Sequence, residues 1–251
     1  MFKLPKKPFH IAIVIALLLV VIGIILAVVL GGIWLATPYK ASDKALALLR
    51  SDGNYTFVND GNLNFLPKQA LPQGVIVYPG GRVEAAAYSY ICAEIANKGY
   101  PCIVAVMPFN LAVFKLNSAQ EILAKYPEVT AWTMVGHSLG GSMAARYIKD
   151  NPAQIEGLIL LGAYSDIDIS QTQIQAIVIS GSNDKVLNQE SYIANLKNLP
   201  QNKIEVKIAG GNHAQFGDYG AQGGDGESSV SLTYQHEVVV EEILKSLAQG
   251  M

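Results

Sequence analysis

The feature that most restricts the fold of this chain is a glycine-rich turn with the sequence G-H-S-L-G-G at residues 136–141. An apolar run of strand-like composition precedes the turn, and residues 139–149 have the apolar spacing of a helix. A sharp strand-to-helix turn requires small residues two positions before and two positions after its central residue, and Gly136 and Gly140 fill those positions. The turn therefore predicts a helix packed closely on a sheet, with Ser138 at the bend.

The rest of the chain alternates between strand-like and helix-like segments from about residue 54 onward. Asp60-Gly61 separates the first two strands and is typical of a hairpin turn. Helices connect most of the later strands, which places those strands in parallel. We predict an α/β fold with an eight-stranded, mostly parallel sheet and helices on both faces. The predicted strands cover residues 55–58, 63–66, 75–78, 102–106, 131–135, 157–161, 176–180 and 204–208, and the predicted helices cover residues 84–97, 117–126, 139–149, 189–197 and 233–248.

Residues 11–36 form an apolar segment of 26 residues that contains no charge. About 20 apolar residues in a helix cross the hydrocarbon core of a bilayer, whereas the apolar part of a cleavable signal peptide usually has only about 7–15. We therefore predict a transmembrane helix over residues 11–36, with a cleaved signal as the alternative. A short basic tail, residues 1–10, precedes it, and a linker, residues 37–53, connects it to the domain, residues 54–251.

Basic residues near the segment predict its orientation. Lys3, Lys6 and Lys7 precede it together with the terminal amine, while the basic residues that follow it are interspersed with acidic ones. By the positive-inside rule, this distribution of basic residues favours an N-terminus inside the cell. This orientation predicts a single-pass protein of the cell membrane with its domain outside the cytoplasm.

Charge and cysteine content argue against several kinds of partner and site. A net charge of −2 and an isoelectric point near 6.1 do not match a nucleic-acid-binding surface. Cys92 and Cys102 lack the spacing of a zinc site and the number of a disulfide framework, so we expect two buried thiols. Asp218, Asp225 and Glu227 lack the spacing of a calcium loop, so we expect a solvated loop and no metal site there.

Ser138 is the predicted nucleophile. The sharp turn holds the serine in a strained conformation with its hydroxyl exposed, and the helix that begins at residue 139 points its N–H groups at the same place. The alternative is a serine that only caps the helix.

Serine needs a base within hydrogen-bond reach, and the base needs a carboxylate that orients it. His213 follows the last predicted strand and is the predicted base, with an ordinary surface-loop histidine as the alternative. Asp184 follows the neighbouring strand and is the predicted acid, with Asp166 and Asp168 as alternatives.

Backbone N–H groups are expected to stabilise the oxyanion that develops during acyl transfer. The N–H of Leu139 is one predicted donor, and the turn after the third strand supplies the other, with Gly81 preferred and Arg82 next. A simple turn without a catalytic role is the alternative for that loop. The residues predicted to contact the substrate are Gly80, Arg82, His137 and Phe216.

Three motifs resemble those of the α/β-hydrolase superfamily: Y-P-G-G at residues 78–81, G-H-S-L-G-G at 136–141 and G-N-H-A-Q-F-G-D-Y-G at 211–220. The resemblance covers about residues 54–248. In these motifs the chain is similar to uncharacterised bacterial hydrolases that often carry an N-terminal membrane segment or signal. It implies Ser138 as nucleophile, Asp184 as acid and His213 as base. Pro79 departs from the pattern, because many members have a His-Gly pair there.

Some members of that superfamily carry a large lid after the sixth strand, but here only about 14 residues, 162–175, connect it to the next strand. We expect a minimal lid and an open site, with residues 216–229 as a substrate wall. The predicted activity is hydrolysis of an ester or related acyl bond in a small molecule, without metal or organic cofactor. The alternatives are an acyltransferase with the same triad and a membrane-tethered binding protein with a vestigial site.

Overall fold

The computed structural model describes residues 7–153 and 155–249, and its contacts divide the chain into two compact units, Met1–Pro38 and Tyr39–Met251. The first unit contains the helix α1, Lys7–Ala36. Its stretch Ile13–Gly32 is long and apolar enough to cross a membrane. The predicted apolar helix is therefore present, while residues 1–6 of the predicted basic tail lie outside the described residues.

The second unit contains a single mixed sheet. Across the described residues the sheet has eight strands, in the spatial order β1-β2-β4-β3-β5-β6-β7-β8. The strands are β1 Tyr55–Asn59, β2 Leu63–Pro67, β3 Gln73–Tyr78, β4 Cys102–Val104, β5 Ala131–His137, β6 Gly157–Leu161, β7 Gln175–Gly181 and β8 Ile204–Ile208. Strand β2 pairs antiparallel with β1 and β4, and all other pairs are parallel. This confirms the predicted eight-stranded, mostly parallel sheet.

Helices cover both faces of the sheet, as predicted. They are α2 Asp43–Ala47, α3 Ser89–Asn97, α4 Ser118–Lys125, α5 Leu139–Asp150, α6 Gln189–Asn195 and α7 Leu232–Gln249. Successive strand residues point to opposite faces: Val75 and Val77 pack with α3 and α7, whereas Ile76 and Tyr78 pack with α4 and α5. Only the second part of the helix predicted over residues 84–97 is α-helical, because a 3₁₀ turn, Ala85–Tyr88, precedes α3.

A disulfide joins Cys92 in α3 to Cys102 at the start of β4, with the two Cα atoms 5.1 Å apart. The expectation of two free thiols was wrong. Gly99 follows α3 with a φ of +93°, a backbone conformation that favours glycine, and turns the chain back towards the sheet. This turn brings the two cysteines together although they are ten positions apart in the sequence.

The chain enters the second unit beside the turn that follows β3. Tyr39 forms a parallel bridge with Val83, its N–H donates to the carbonyl of Arg82 at 2.7 Å, and its carbonyl accepts from the N–H of Glu84 at 3.0 Å. Ser42, at the start of α2, donates its N–H to the carbonyl of Asp218 at 2.8 Å. The segment predicted as a linker therefore makes ordered contacts with the domain.

The connection between β6 and β7 is short and held down at several points. The hydroxyl of Ser142 in α5 donates to the carbonyl of Tyr164 at 2.9 Å, and the side-chain amide of Asn198 donates to the carbonyl of Ser165 at 2.9 Å. Arg146 also forms a two-point ion pair with Asp166. The connection is thus a short loop held by hydrogen bonds and an ion pair, in agreement with the predicted minimal lid.

Candidate active site

The turn between β5 and α5 holds Ser138 in a strained backbone conformation, with φ 51° and ψ −122°. Glycines around it make this geometry possible. A Cβ atom at Gly136 would lie 2.4 Å from the Cα of Gly141, and one at Gly140 would lie 2.3 Å from the carbonyl oxygen of Pro79. Any larger residue at these positions would push the helix away from the sheet, so the glycines fix the place of the serine.

A buried carboxylate orients the imidazole of His213. The Nδ1 atom of His213, in the loop after β8, lies 2.8 Å from Oδ2 of Asp184, in the loop after β7. The other oxygen of Asp184 accepts the N–H groups of Val186 at 2.9 Å and Leu187 at 2.8 Å. In the neutral imidazole, a carboxylate that accepts this bond places the ring proton on Nδ1, which leaves Nε2 of His213 able to accept a proton.

Ser138 and His213 line the same cavity, which has a volume of about 290 Å³. Residues from α5, from the loop after β6 and from the loop after β7 form the remaining walls. They are Leu139, Ser142, Gly162, Ala163, Tyr164, Val186, Leu187 and Asn188. The cavity therefore brings a hydroxyl and an oriented imidazole to the carboxyl end of the parallel strands, where ligands bind in such sheets.

The sequence from residue 74 to residue 237 matches the family model described as Alpha/beta hydrolase family. This match covers more than half of the chain. The chain belongs to the alpha/beta hydrolase family. The predicted superfamily and the prediction of an enzyme are thereby confirmed.

Solved structures of esterases share the fold of this chain. Est1E from Butyrivibrio proteoclasticus has a TM-score of 0.56 at 16% identity, over 78% of this chain and 100% of Est1E. Carboxylesterase CesB (YbfK) from Bacillus subtilis has a TM-score of 0.60 at 12% identity, over 88% of this chain and 99% of CesB. No curated protein matches this chain. At these identities the likeness concerns the fold alone.

The turn after β3 lies against the start of α5. A Cβ atom at Gly81 would be 3.3 Å from the side chain of Leu139. The N–H groups on either side of Gly81 are occupied: Gly80 donates to the hydroxyl of Tyr88 at 2.8 Å, and Arg82 donates to the carbonyl of Asn110 at 2.7 Å. The N–H of Leu139 belongs to the first turn of α5, where no helical carbonyl is within reach.

Two of the residues predicted to contact the substrate are enclosed behind His213. His137 and Phe216 are 1% and 0% exposed, and the ring of His137 lies 4.6 Å from that of His213 and 5.7 Å from that of Phe216. Burial, followed by the nearby His213, holds the pKa of His137 well below its ordinary value. The imidazole of His137 is therefore uncharged and packs behind His213. Arg82 lies over the ring of Tyr39 at 5.4 Å.

The alternative acids are engaged elsewhere. Asp166 pairs with Arg146, and Asp168 accepts the N–H of Ser170 at 2.9 Å, so neither is the partner of His213 in this structure. Within the described residues, no group of three or more His, Cys, Asp or Glu side chains is arranged to hold a metal ion.

Asp225 binds the two loops that carry Asp184 and His213. Its carboxylate accepts the N–H groups of Ala214 at 2.8 Å and Lys185 at 3.2 Å. Asn212 strengthens the same junction, because its side-chain amide donates to the carbonyl of Gly226 at 2.8 Å. The segment around Asp225 was expected to be a solvated loop, and the sequence carries no signal for these long-range bonds. The loop is solvated, with Gly223, Gly224 and Glu227 exposed, and Asp225 in addition connects it to the loops of Asp184 and His213.

Proposed function

We propose that the protein cleaves a carboxylic ester through a Ser138-His213-Asp184 triad and an acyl-enzyme. The observation that carries this proposal is the cavity shared by Ser138 and His213, with Asp184 bound to Nδ1 of His213 at 2.8 Å. The strained serine turn and the unprotonated Nε2 are the two properties that this chemistry requires of its nucleophile and its base.

In the first step, Oγ of Ser138 attacks the ester carbonyl and its proton passes to Nε2 of His213. Asp184 stabilises the imidazolium that forms, and the N–H groups of Leu139 and Gly81 bind the oxyanion. Collapse of the tetrahedral intermediate releases the alcohol, which takes the proton from His213. Water, activated by the same imidazole, then hydrolyses the acyl-enzyme and regenerates Ser138.

The substrate proposed is a small-molecule ester with a short or medium acyl group. The cavity of about 290 Å³ is at the small end of ligand pockets, which typically enclose about 300–1,000 Å³. Among the solved structures with this fold, CesB is a carboxylesterase and one structure of Est1E holds ferulic acid. With p-nitrophenyl esters of increasing chain length, kcat/KM should be highest for short or medium chains, and activity confined to long chains would contradict the proposal.

A fluorophosphonate probe tests the nucleophile directly. Such probes react with an activated serine hydroxyl, so Ser138→Ala should abolish labelling. Ser142→Ala is a matched control, because Ser142 lines the same cavity but donates its hydroxyl to the carbonyl of Tyr164. Labelling that persists in the Ser138→Ala variant, or that disappears in the Ser142→Ala variant alone, would overturn the assignment.

We place this activity at a membrane, with the domain outside the cytoplasm. The apolar helix α1 has the length of a membrane span. The disulfide between Cys92 and Cys102 adds an independent reason for the orientation, because disulfides persist in oxidising compartments and are rare in the cytosol.

A further inference from the structure

The hydroxyl of Tyr88 connects the turn after β3 to the residue that precedes the nucleophile. Its oxygen accepts the N–H of Gly80 at 2.8 Å and lies 2.7 Å from Nδ1 of His137. Tyr88 and His137 are both fully enclosed, so water does not compete for either bond. No sequence motif marks Tyr88, which follows a run of three alanines.

The directions of these bonds follow from the atoms involved. The backbone N–H of Gly80 can only donate a hydrogen bond, so the hydroxyl oxygen of Tyr88 is its acceptor. We assign the phenolic proton of Tyr88 to Nδ1 of His137, the second partner of this hydroxyl among the described contacts, and this assignment places the ring proton of His137 on Nε2. The chain of bonds therefore fixes both the tautomer and the rotation of the His137 ring.

The same bond orients the turn itself. Gly80 is held at both ends, because its N–H binds Tyr88 and its carbonyl accepts the N–H of Val83 at 3.1 Å. In a trans peptide the carbonyl and the following N–H point in opposite directions. The N–H of Gly81 is thereby directed away from Val83. The direction of the Gly81 N–H depends on the contact between Gly80 and His137. This contact is close, because a Cβ atom added at Gly80 would lie only 2.7 Å from Nδ1 of His137.

We infer that Tyr88 and His137 are positioning residues that hold the Gly81 N–H in place for the oxyanion. The inference rests on the proposed ester hydrolysis and replaces the predicted substrate contact of His137. The ring of His137, 4.6 Å from that of His213, also limits how far the base can move back from Ser138. The hydroxyl of Tyr88 thus positions both the N–H of Gly81 and the ring of His137, which packs behind His213.

Tyr88→Phe removes the hydroxyl and keeps the ring. Loss of a whole oxyanion donor typically costs about 10²–10³ in kcat, and a donor that is present but misaligned should cost about tenfold. KM should stay unchanged, because the bond strengthens only as the oxyanion forms. Tyr78→Phe is the matched control: its buried hydroxyl also accepts an N–H, from Ala119 at 2.8 Å, and donates to the carbonyl of Leu116.

Rescue separates positioning from packing. His137→Asn retains an acceptor near the place of Nδ1 and should keep most of kcat, whereas His137→Leu should lose as much as Tyr88→Phe. Equal kcat in Tyr88→Phe and Tyr78→Phe, or equal losses in the two His137 variants, would overturn the inference.

Nitrogen NMR of the full chain with ¹⁵N-labelled histidine gives a readout that does not depend on activity. His137 should show a protonated Nε2 and an unprotonated Nδ1, and this pattern should change in Tyr88→Phe but not in Tyr78→Phe. A His137 ring protonated at Nδ1 would overturn the positioning role even if Ser138 proves to be the nucleophile. Persistent probe labelling of Ser138→Ala would instead refute the proposed function and leave this bond intact.

Discussion

Gly162 lies directly against the imidazole of His213. A Cβ atom at Gly162 would lie 2.9 Å from Nδ1 of His213 and 3.0 Å from Oδ2 of Asp184, and the glycine has a φ of +52°. The residue that follows β6 therefore lies directly against the hydrogen bond between His213 and Asp184. Only a residue without a side chain leaves room for that bond at its observed length.

Gly162→Ala should displace the His213 imidazole and reduce kcat by about 100-fold, since a misplacement of about 1 Å in a catalytic group has a cost of that order. Its left-handed backbone adds a destabilisation of about 1 kcal/mol. Gly61→Ala is the control for backbone strain, because Gly61 has a φ of +104° and open space around it. Ester hydrolysis and thermal unfolding of both variants separate the effects, and a similar kcat in the two would contradict the contact argument.

The choice between the carboxylates has a direct test. Asp184→Asn should lower kcat by about 10³–10⁴, because the amide cannot stabilise the imidazolium and favours the wrong tautomer of His213. Asp166→Asn should leave kcat within about twofold, since its exposed ion pair with Arg146 contributes at most about 1 kcal/mol of stability. A large loss for Asp166→Asn and a small one for Asp184→Asn would reverse the assignment.

The disulfide predicts a stability that depends on redox conditions. Reduction of the bond between Cys92 and Cys102 should lower the free energy of unfolding by about 3 kcal/mol, mainly through greater freedom of the unfolded chain. The melting temperature of the full chain in detergent micelles should fall with added reductant. A Cys92→Ala/Cys102→Ala variant should start lower and show no response. Rapid alkylation of both cysteines in the purified, unreduced protein would show that the bond does not form.

His236 predicts a loss of stability in mild acid. Burial lowers the pKa of His236 to about 4 from 6.5, and its ring stacks on Tyr90. Between these values the unfolded state binds a proton that the folded state excludes, so stability falls as the pH decreases from about 6.5 to about 4. From pH 7 to pH 5 the loss from this group should be about 2 kcal/mol. His236→Phe keeps the stacking and should reduce the dependence of the melting temperature on pH, with the buried His137 accounting for part of the dependence that remains. An unchanged dependence would refute the role of His236.

Local patterns were enough to predict the sheet and the sharp turn at Ser138. The apolar runs of β3, β6 and β7, which are buried on both faces of the sheet, can be recognised from each residue and its immediate neighbours. The turn at Ser138 was visible because small residues are needed within two positions on either side. The short connection after β6 was visible as a simple length.

Contacts between distant parts of the chain were not visible in the same way. Cys92 and Cys102 pair because Gly99 turns the chain back, and Tyr88 reaches His137 across 49 residues. The bonds of Asp225 could not be predicted, because its partners, the backbone N–H groups of two other loops, leave no trace in residue type. The burial of His137 also could not be predicted, because the rings of Tyr88, His213 and Phe216 that surround it come from distant parts of the chain.

The bridge between Tyr39 and Val83 has a mechanical consequence. A pulling force applied through the N-terminal side of Tyr39 loads first the two hydrogen bonds that join it to Arg82 and Glu84. Arg82 directly follows Gly81 and Glu84 is two residues further on, so tension there would distort the turn after β3 before any strand of the sheet gives way. In a single-molecule experiment, the protein would then lose turnover at a lower force than the one that unravels its sheet.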